Sequence, residues 1–143
     1  MTDVSAETTI ELPRQEVARY ATDWRNDKEW IGALTEVRLV QEQPQQVARV
    51  AAFLGKRIEY VNEVVRLEPG SVLDMRSVES PFPMRITYTF ADGLGGTETS
   101  VRVQGEPAGL YRVGGPMMRR AVQRSIDRDV ARLKRTLEEG GNR

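Results

Sequence analysis

The sequence contains neither cysteine nor histidine. Without cysteine there is no disulfide, thiolate nucleophile or thiolate metal ligand. Without histidine there is no imidazole base, no Ser-His-Asp triad and no imidazole metal ligand. Any acid–base chemistry must therefore use Asp, Glu, Tyr or Lys. No carboxylate cluster has calcium-loop spacing, and no glycine pattern is typical of phosphate binding, so we predict neither a metal nor a cofactor.

Long apolar runs are also missing. No stretch of 18 apolar residues is present, which predicts that the chain does not span a membrane. The first residues lack a basic segment followed by an apolar run, so we expect no signal peptide and a cytoplasmic location. A length of 143 residues suits one domain, and we predict a single ligand-binding domain over 1–143.

The strongest positive signal is a long amphipathic helix over residues 116–139, opened by a proline. Its apolar residues recur at steps of three or four and share one face. They are Met118, Val122, Ile126, Val130, Leu133 and Leu137. Four arginines at steps of four, Arg120, Arg124, Arg128 and Arg132, lie on the opposite face. The pattern predicts that the apolar face packs on a sheet.

The residues before this helix alternate as strands do, with short turns between them. The predicted strands are 4–11, 34–41, 47–54, 57–67, 71–79, 84–91 and 97–105. Pro13 opens a helix that runs to about residue 22, and Asp27 is predicted to cap a second short helix that holds Trp30. The order β-α-α-β6-α predicts an α+β fold: a curved, seven-stranded antiparallel sheet closed by the long C-terminal helix.

Charge is uneven along the chain, although its net value is zero. Residues 111–143 carry nine Lys/Arg and four Asp/Glu. The arginine face of the long helix is either a solvated surface or a binding surface for an acidic partner. Nucleic acid is not expected to bind, because no aromatic residues are interleaved with the arginines to stack on bases.

Several segments in series resemble one known superfamily. These are ELPRQEVARYATD after the first strand, Trp30 before the second, and RIEYVNEVVRLEPGSVLDMRS over strands four and five. SPFPMRITYTF, GGTETSVRVQGEP and the basic helix complete the order. The chain is similar to the START-like or birch-pollen-allergen-like helix-grip proteins (SRPBCC), and within them to the bacterial polyketide cyclase/dehydrase and lipid-transport branch. The resemblance implies a sheet that grips a long helix around an apolar cavity, and it fixes no single activity.

Alternation within the strands supplies the candidate ligand-binding residues. We expect Tyr60 and Asn62 to point inward from strand four, Met75 from strand five, and Tyr88 and Phe90 from strand six. The faces of strands four and five are mixed, and the reverse orientation would bury Glu63 and Arg76 instead. Each polar tip among apolar neighbours either orients a ligand or belongs to an ordinary core.

Two further candidates, Met118 and Val122, belong to the apolar face of the long helix. Met117 and Met118 start that helix near the expected mouth of the cavity. Methionine adapts to varied apolar shapes, although ordinary core packing would also explain it. Residues 110–115, LYRVGG, could form a gate, with Arg112 placed to meet an anionic head group.

The predicted architecture leads to three functional hypotheses. The first is binding or carriage of a hydrophobic small molecule, such as a lipid, fatty acyl or polyketide-like compound, in the cavity between sheet and helix. The alternative is a polyketide cyclase, aromatase or dehydratase that uses Tyr60, Tyr88 or, in the reversed orientation, Glu63 as acid–base groups. The third is a regulatory or interaction module that uses the arginine face. The sequence leaves the choice between carrier and catalyst open.

Overall fold

A computed structural model describes residues 2–53, 55–81, 83–105 and 115–140. Its seven strands are β1 (Thr2–Ile10), β2 (Leu34–Glu42), β3 (Gln45–Phe53), β4 (Lys56–Glu68), β5 (Val72–Glu79), β6 (Met84–Gly93) and β7 (Gly96–Gly105). They form one antiparallel sheet in the order β1-β7-β6-β5-β4-β3-β2. Successive strands from β2 to β7 are neighbours, as short turns require. The predicted α+β helix-grip architecture is therefore confirmed.

Three α-helices complete the described fold: α1 (Arg14–Thr22), α2 (Asp27–Trp30) and α3 (Gly115–Gly140). A 3-10 turn, Trp24–Asn26, joins the first two. The prediction that Asp27 caps the second helix is wrong. Asp23 accepts a hydrogen bond from the Arg25 backbone N–H and caps the 3-10 turn, whereas the Asp27 carboxylate is buried in an ion pair described below.

The apolar face of α3 packs on the sheet, as the sequence predicts, and the helix also contacts α2. Ile126, Val130, Leu133 and Leu137 are all buried within the main hydrophobic core. Polar contacts fix the helix along the edge strand β1. Lys134 Nζ donates to the Thr9 carbonyl at 2.6 Å, and Gln123 Nε2 donates to the Ser5 carbonyl at 2.8 Å. These bonds set the position of α3 over the sheet.

The inward faces of β4 and β5 follow the predicted orientation. Asn62, Leu73 and Met75 are buried. On the opposite face of these strands, Arg76 Nη2 donates to Glu63 at 2.9 Å, and Arg85 Nε of the neighbouring strand β6 donates to Asp74 at 2.9 Å. Asp74 is nonetheless buried, because Arg85 and Thr87 cover its carboxylate. The reversed orientation, with Glu63 inside, is excluded.

None of the helices in the described part of the chain is long and apolar enough to cross a membrane.

Candidate functional site

An apolar cavity of about 170 Å³ lies between the sheet and the first half of α3. The sheet contributes side chains from β3, β4, β6 and β7, and Ala33 closes one side just before β2. The lining residues are Ala33, Ala51, Phe53, Ile58, Tyr60, Met84, Ile86, Val103, Gly105, Met118, Val122, Ser125 and Ile126. A cavity of roughly 150 Å³ with apolar walls is large enough to hold one benzene ring.

Small residues leave this space open. Ala51 pairs with Ile58 in the sheet, and Gly105 pairs with Met84. At both points one strand offers little or no side chain to meet α3. A fully packed core would fill such a gap with interdigitating side chains. The cavity therefore follows from residue size at these positions as much as from sheet curvature.

The seven predicted ligand-binding residues fall into two groups in the structure. Tyr60, Met118 and Val122 line the cavity. Asn62, Met75, Tyr88 and Phe90 are buried further along the same sheet face, outside the cavity lining. The ring of Tyr88 instead meets that of Trp30 edge to face, at 5.5 Å between centroids. The predicted gate at residues 110–115, with Arg112, lies outside the described residues apart from Gly115, which begins α3.

A buried ion pair adjoins the inner end of the cavity, and sequence reasoning missed it. Arg49 donates from Nε and Nη2 to the same Asp27 oxygen, at 3.0 and 2.7 Å. Arg49 and Asp27 are only 5% and 2% exposed. Arg49 is the cross-strand partner of Tyr60 and lies two residues from Ala51, so two cavity-lining residues flank it.

Several polar atoms near this pair lack a hydrogen-bond partner among the described residues. They are Arg49 Nη1 and both amide atoms of Asn62, which is 1% exposed. Val47 pairs with Asn62 in the sheet, which makes Asn62 a diagonal neighbour of Arg49 on the inward face. Buried polar atoms normally have partners, because an unpaired one loses its water bonds without replacement. This part of the interior is therefore polar and under-satisfied.

Burial controls protonation at the site. It raises the pKa of Tyr60, partly opposed by the charge of Arg49, and it also raises the pKa of Tyr88. Both phenols therefore stay protonated near neutral pH and donate hydrogen bonds rather than accept protons. Burial likewise raises the pKa of Asp27, against the lowering effect of Arg49. The described lining of the cavity includes no carboxylate.

We predict that Asn62→Leu raises the free energy of unfolding by about 1–3 kcal/mol, because it removes two unpaired polar atoms with little change in size. Urea denaturation measures the change. Asn26→Leu is the matched control: Asn26 Nδ2 donates to the Tyr20 carbonyl at 3.1 Å, so losing that amide should lower stability. Reduced stability of Asn62→Leu would show that its amide is hydrogen-bonded in solution.

Among the described residues, no group of three or more Asp or Glu side chains is placed to hold a metal ion.

Comparisons with known proteins identify the family and agree with the fold. The sequence matches the family model described as polyketide cyclase/dehydrase and lipid transport over residues 1–138. An aromatase/cyclase, Zhui, from Streptomyces sp. R1128 has a similar structure, with 18% identity, a TM-score of 0.82 and coverage of 95% of this chain and 93% of that one. A comparison with curated protein sequences finds no match.

Two further solved structures share the fold. A START superfamily protein from Mycobacterium smegmatis is 13% identical, with a TM-score of 0.81 and coverage of 97% and 99% of the two chains. The protein TTHA0849 from Thermus thermophilus is 24% identical, with a TM-score of 0.76 and coverage of 96% and 94%. At these identities the structures establish the fold alone, while the family model covers nearly the whole sequence. The chain belongs to the polyketide cyclase/dehydrase and lipid-transport family.

Proposed function

We propose that this protein binds or carries a hydrophobic small molecule in the cavity between its sheet and α3. The observation that supports this most directly is the composition of the lining. Of the described residues that line the cavity, only Tyr60 and Ser125 have a side-chain oxygen or nitrogen. Binding sites for small molecules are typically concave and apolar, with a few polar groups that set orientation. The volume suits one aromatic ring or a short acyl chain.

The catalytic alternative, a polyketide cyclase, aromatase or dehydratase, is less well supported. Removing a proton next to a carbonyl needs a base within hydrogen-bond reach of the substrate. In the described lining, Tyr60 and Ser125 carry the only candidate groups, and burial raises the pKa of Tyr60, which makes it a poorer acid. Tyr60→Phe separates the two functions: loss of turnover with unchanged ligand affinity would favour catalysis.

Occlusion of the cavity tests the proposal. Val122 lines the cavity from α3 and is half-buried, so Val122→Trp should fill the space with its larger side chain. We expect at least about tenfold weaker binding of a neutral dye with one aromatic ring, 4-(dimethylamino)benzonitrile, followed by its fluorescence, because overpacking excludes the ring from the site. Ala131→Trp adds the same side chain at an exposed position of the same helix and should bind the dye normally.

The unfolding midpoint of each variant shows whether the fold is retained. Equal dye affinity for Val122→Trp and Ala131→Trp would place the dye elsewhere and contradict the proposal. No dye binding by the unmodified protein would contradict it as well. Native mass spectrometry before and after solvent extraction then identifies any small molecule that co-purifies.

A further inference from the structure

A second depression lies on the other side of Ala33, between α3 and the segment that joins α2 to β2. We call it the arginine groove. Its volume is about 360 Å³, and its lining residues are Gly32, Ala33, Ala52, Phe53, Ala121, Arg124, Ser125, Arg128, Asp129 and Arg132. Three arginines at steps of four along α3 and a single carboxylate therefore share this surface.

The charged groups in the groove are not equally available. The Asp129 carboxylate is buried and accepts the Gly32 backbone N–H at 3.0 Å. Arg132 is half-buried and donates to the Trp30 carbonyl at 3.3 Å. Arg124 and Arg128 are exposed, and neither pairs with a carboxylate of the described residues. Since Arg132 and Asp129 offset each other, Arg124 and Arg128 provide the net positive charge.

The arginine groove and the apolar cavity share a wall. Ala33, Phe53 and Ser125 line both spaces. A molecule too long for the cavity could extend past these shared residues into the groove. There the guanidinium groups of Arg124 and Arg128 lack carboxylate partners among the described residues. Guanidinium groups bind carboxylate and phosphate oxygens through charge-assisted hydrogen bonds. The two spaces together are therefore complementary to a molecule with one apolar end and one anionic end.

We infer that the ligand is an anionic amphiphile whose apolar part occupies the cavity and whose carboxylate or phosphate binds Arg124 and Arg128 in the arginine groove. This inference rests on the proposed function. It gives part of the arginine face of α3 a role beyond solvation, since Arg124 and Arg128 line the groove that shares a wall with the cavity. The anionic group also sets the orientation of the ligand, with its apolar end toward Tyr60.

Three probes of eight carbons each test the inference: 1-octanol, octanoate and octyl phosphate. Isothermal titration at low salt should show octanoate and octyl phosphate binding at least about tenfold more tightly than octanol, because charge-assisted hydrogen bonds are stronger than neutral ones. The difference should shrink as salt is added. Comparing octanoate with octyl phosphate identifies which anion the groove prefers.

Paired substitutions locate the effect. In Arg124→Gln/Arg128→Gln the preference for the anionic probes should disappear, while the affinity for octanol stays unchanged. Arg120→Gln/Arg135→Gln removes the same charge from exposed positions of α3 outside the groove and should keep the preference.

Each other outcome is decisive. Equal affinity of the unmodified protein for octanol, octanoate and octyl phosphate would overturn the inference and leave the proposed function standing. Equal loss of preference in both double variants would also overturn it, because general charge would then be the cause. If inorganic phosphate binds as tightly as octyl phosphate, the cavity contributes nothing to the affinity for the alkyl chain, and the inference is overturned. Failure of all three eight-carbon probes to bind, while the neutral dye still binds, would overturn the inference alone. Failure of the dye to bind as well would overturn the proposed function itself.

Discussion

Asp27→Ala is expected to lower the free energy of unfolding by about 3–5 kcal/mol, because it leaves the buried Arg49 guanidinium without its counter-charge. Arginine does not release its proton under folding conditions, so the charge cannot be relieved by neutralisation. Nη1 of Arg49 already lacks a partner among the described residues, and the substitution would leave Nε and Nη2 unpaired as well. Urea denaturation at neutral pH measures the loss.

Arg49→Met removes the other member of the pair. It should lower the free energy of unfolding by less than Asp27→Ala does, and the size of the decrease should depend on pH. Burial already raises the pKa of Asp27 above 3.8, and removing Arg49 raises it further. A carboxyl group with a raised native pKa binds its proton more tightly in the folded state. Stability is therefore highest below the unfolded pKa and falls as pH rises through the native pKa. The variant should be least stable relative to the unmodified protein at the alkaline end of a titration from about pH 4 to pH 8.

A surface pair in the same protein is the matched control. Arg102 donates to Asp3 from Nε and Nη2 at 2.9 and 2.6 Å, but the two side chains are 51% and 42% exposed. Arg102→Met should change stability by no more than about 1 kcal/mol. The double variant Asp27→Leu/Arg49→Met should recover most of the unfolding free energy that Asp27→Ala loses, since apolar residues can often replace a buried ion pair. Equal small effects for the buried and surface pairs would contradict this account.

The elements of the fold could be predicted because their patterns are long. The 116–139 helix shows its apolar spacing over about five turns, and the structure places the helix at Gly115–Gly140. The inward faces of the mixed strands β4 and β5 were also predicted correctly. Asp74 is an exception to simple alternation, since it is buried on the outer face of β5. Arg85 covers it there, and strand alternation contains no information about such a contact.

The site was only partly predictable, because alternation gives the face of a strand and not the position along it. Tyr60, Tyr88 and Phe90 point to the same side of the sheet, yet only Tyr60 lines the cavity. The difference depends on where α3 crosses the sheet and on the small residues Ala51 and Gly105. These are tertiary features that strand alternation and helix periodicity do not encode.

The buried ion pair was missed for a related reason. In β3 both faces carry small or apolar residues, so its pattern does not indicate that Arg49 points inward. Asp27 is the first residue of the short helix α2, and acidic residues at the start of a helix commonly cap it or interact with its dipole. Tertiary burial overrides that local preference here, because the carboxylate is needed beside the guanidinium.

Gly96→Ala is expected to lower the free energy of unfolding by at least about 3 kcal/mol. Gly96 opens β7 with φ of +139°, a conformation that L side chains rarely adopt. An added Cβ would lie 2.1 Å from the Ile10 carbonyl oxygen and 2.9 Å from Glu11 Cα. Both contacts are with backbone at the end of β1, so no side-chain rotation relieves them. The loss should appear in thermal and urea unfolding.

Gly95→Ala in the same turn is the control. Its Cβ would have only Thr9 Cγ2 nearby, at an ordinary contact distance of 3.6 Å, and its φ is not in the left-handed region. We expect a change of no more than about 1 kcal/mol in its free energy of unfolding.

Gly96 lies nine residues from Gly105, or about 30 Å along β7, so the strained turn is far from the cavity. Below its lowered unfolding temperature, Gly96→Ala should therefore bind the neutral dye as the unmodified protein does. Similar stability of the two alanine variants would mean that the end of β1 moves to accommodate the methyl group. Weakened dye binding by folded Gly96→Ala would instead show that the turn and the cavity are coupled through β7.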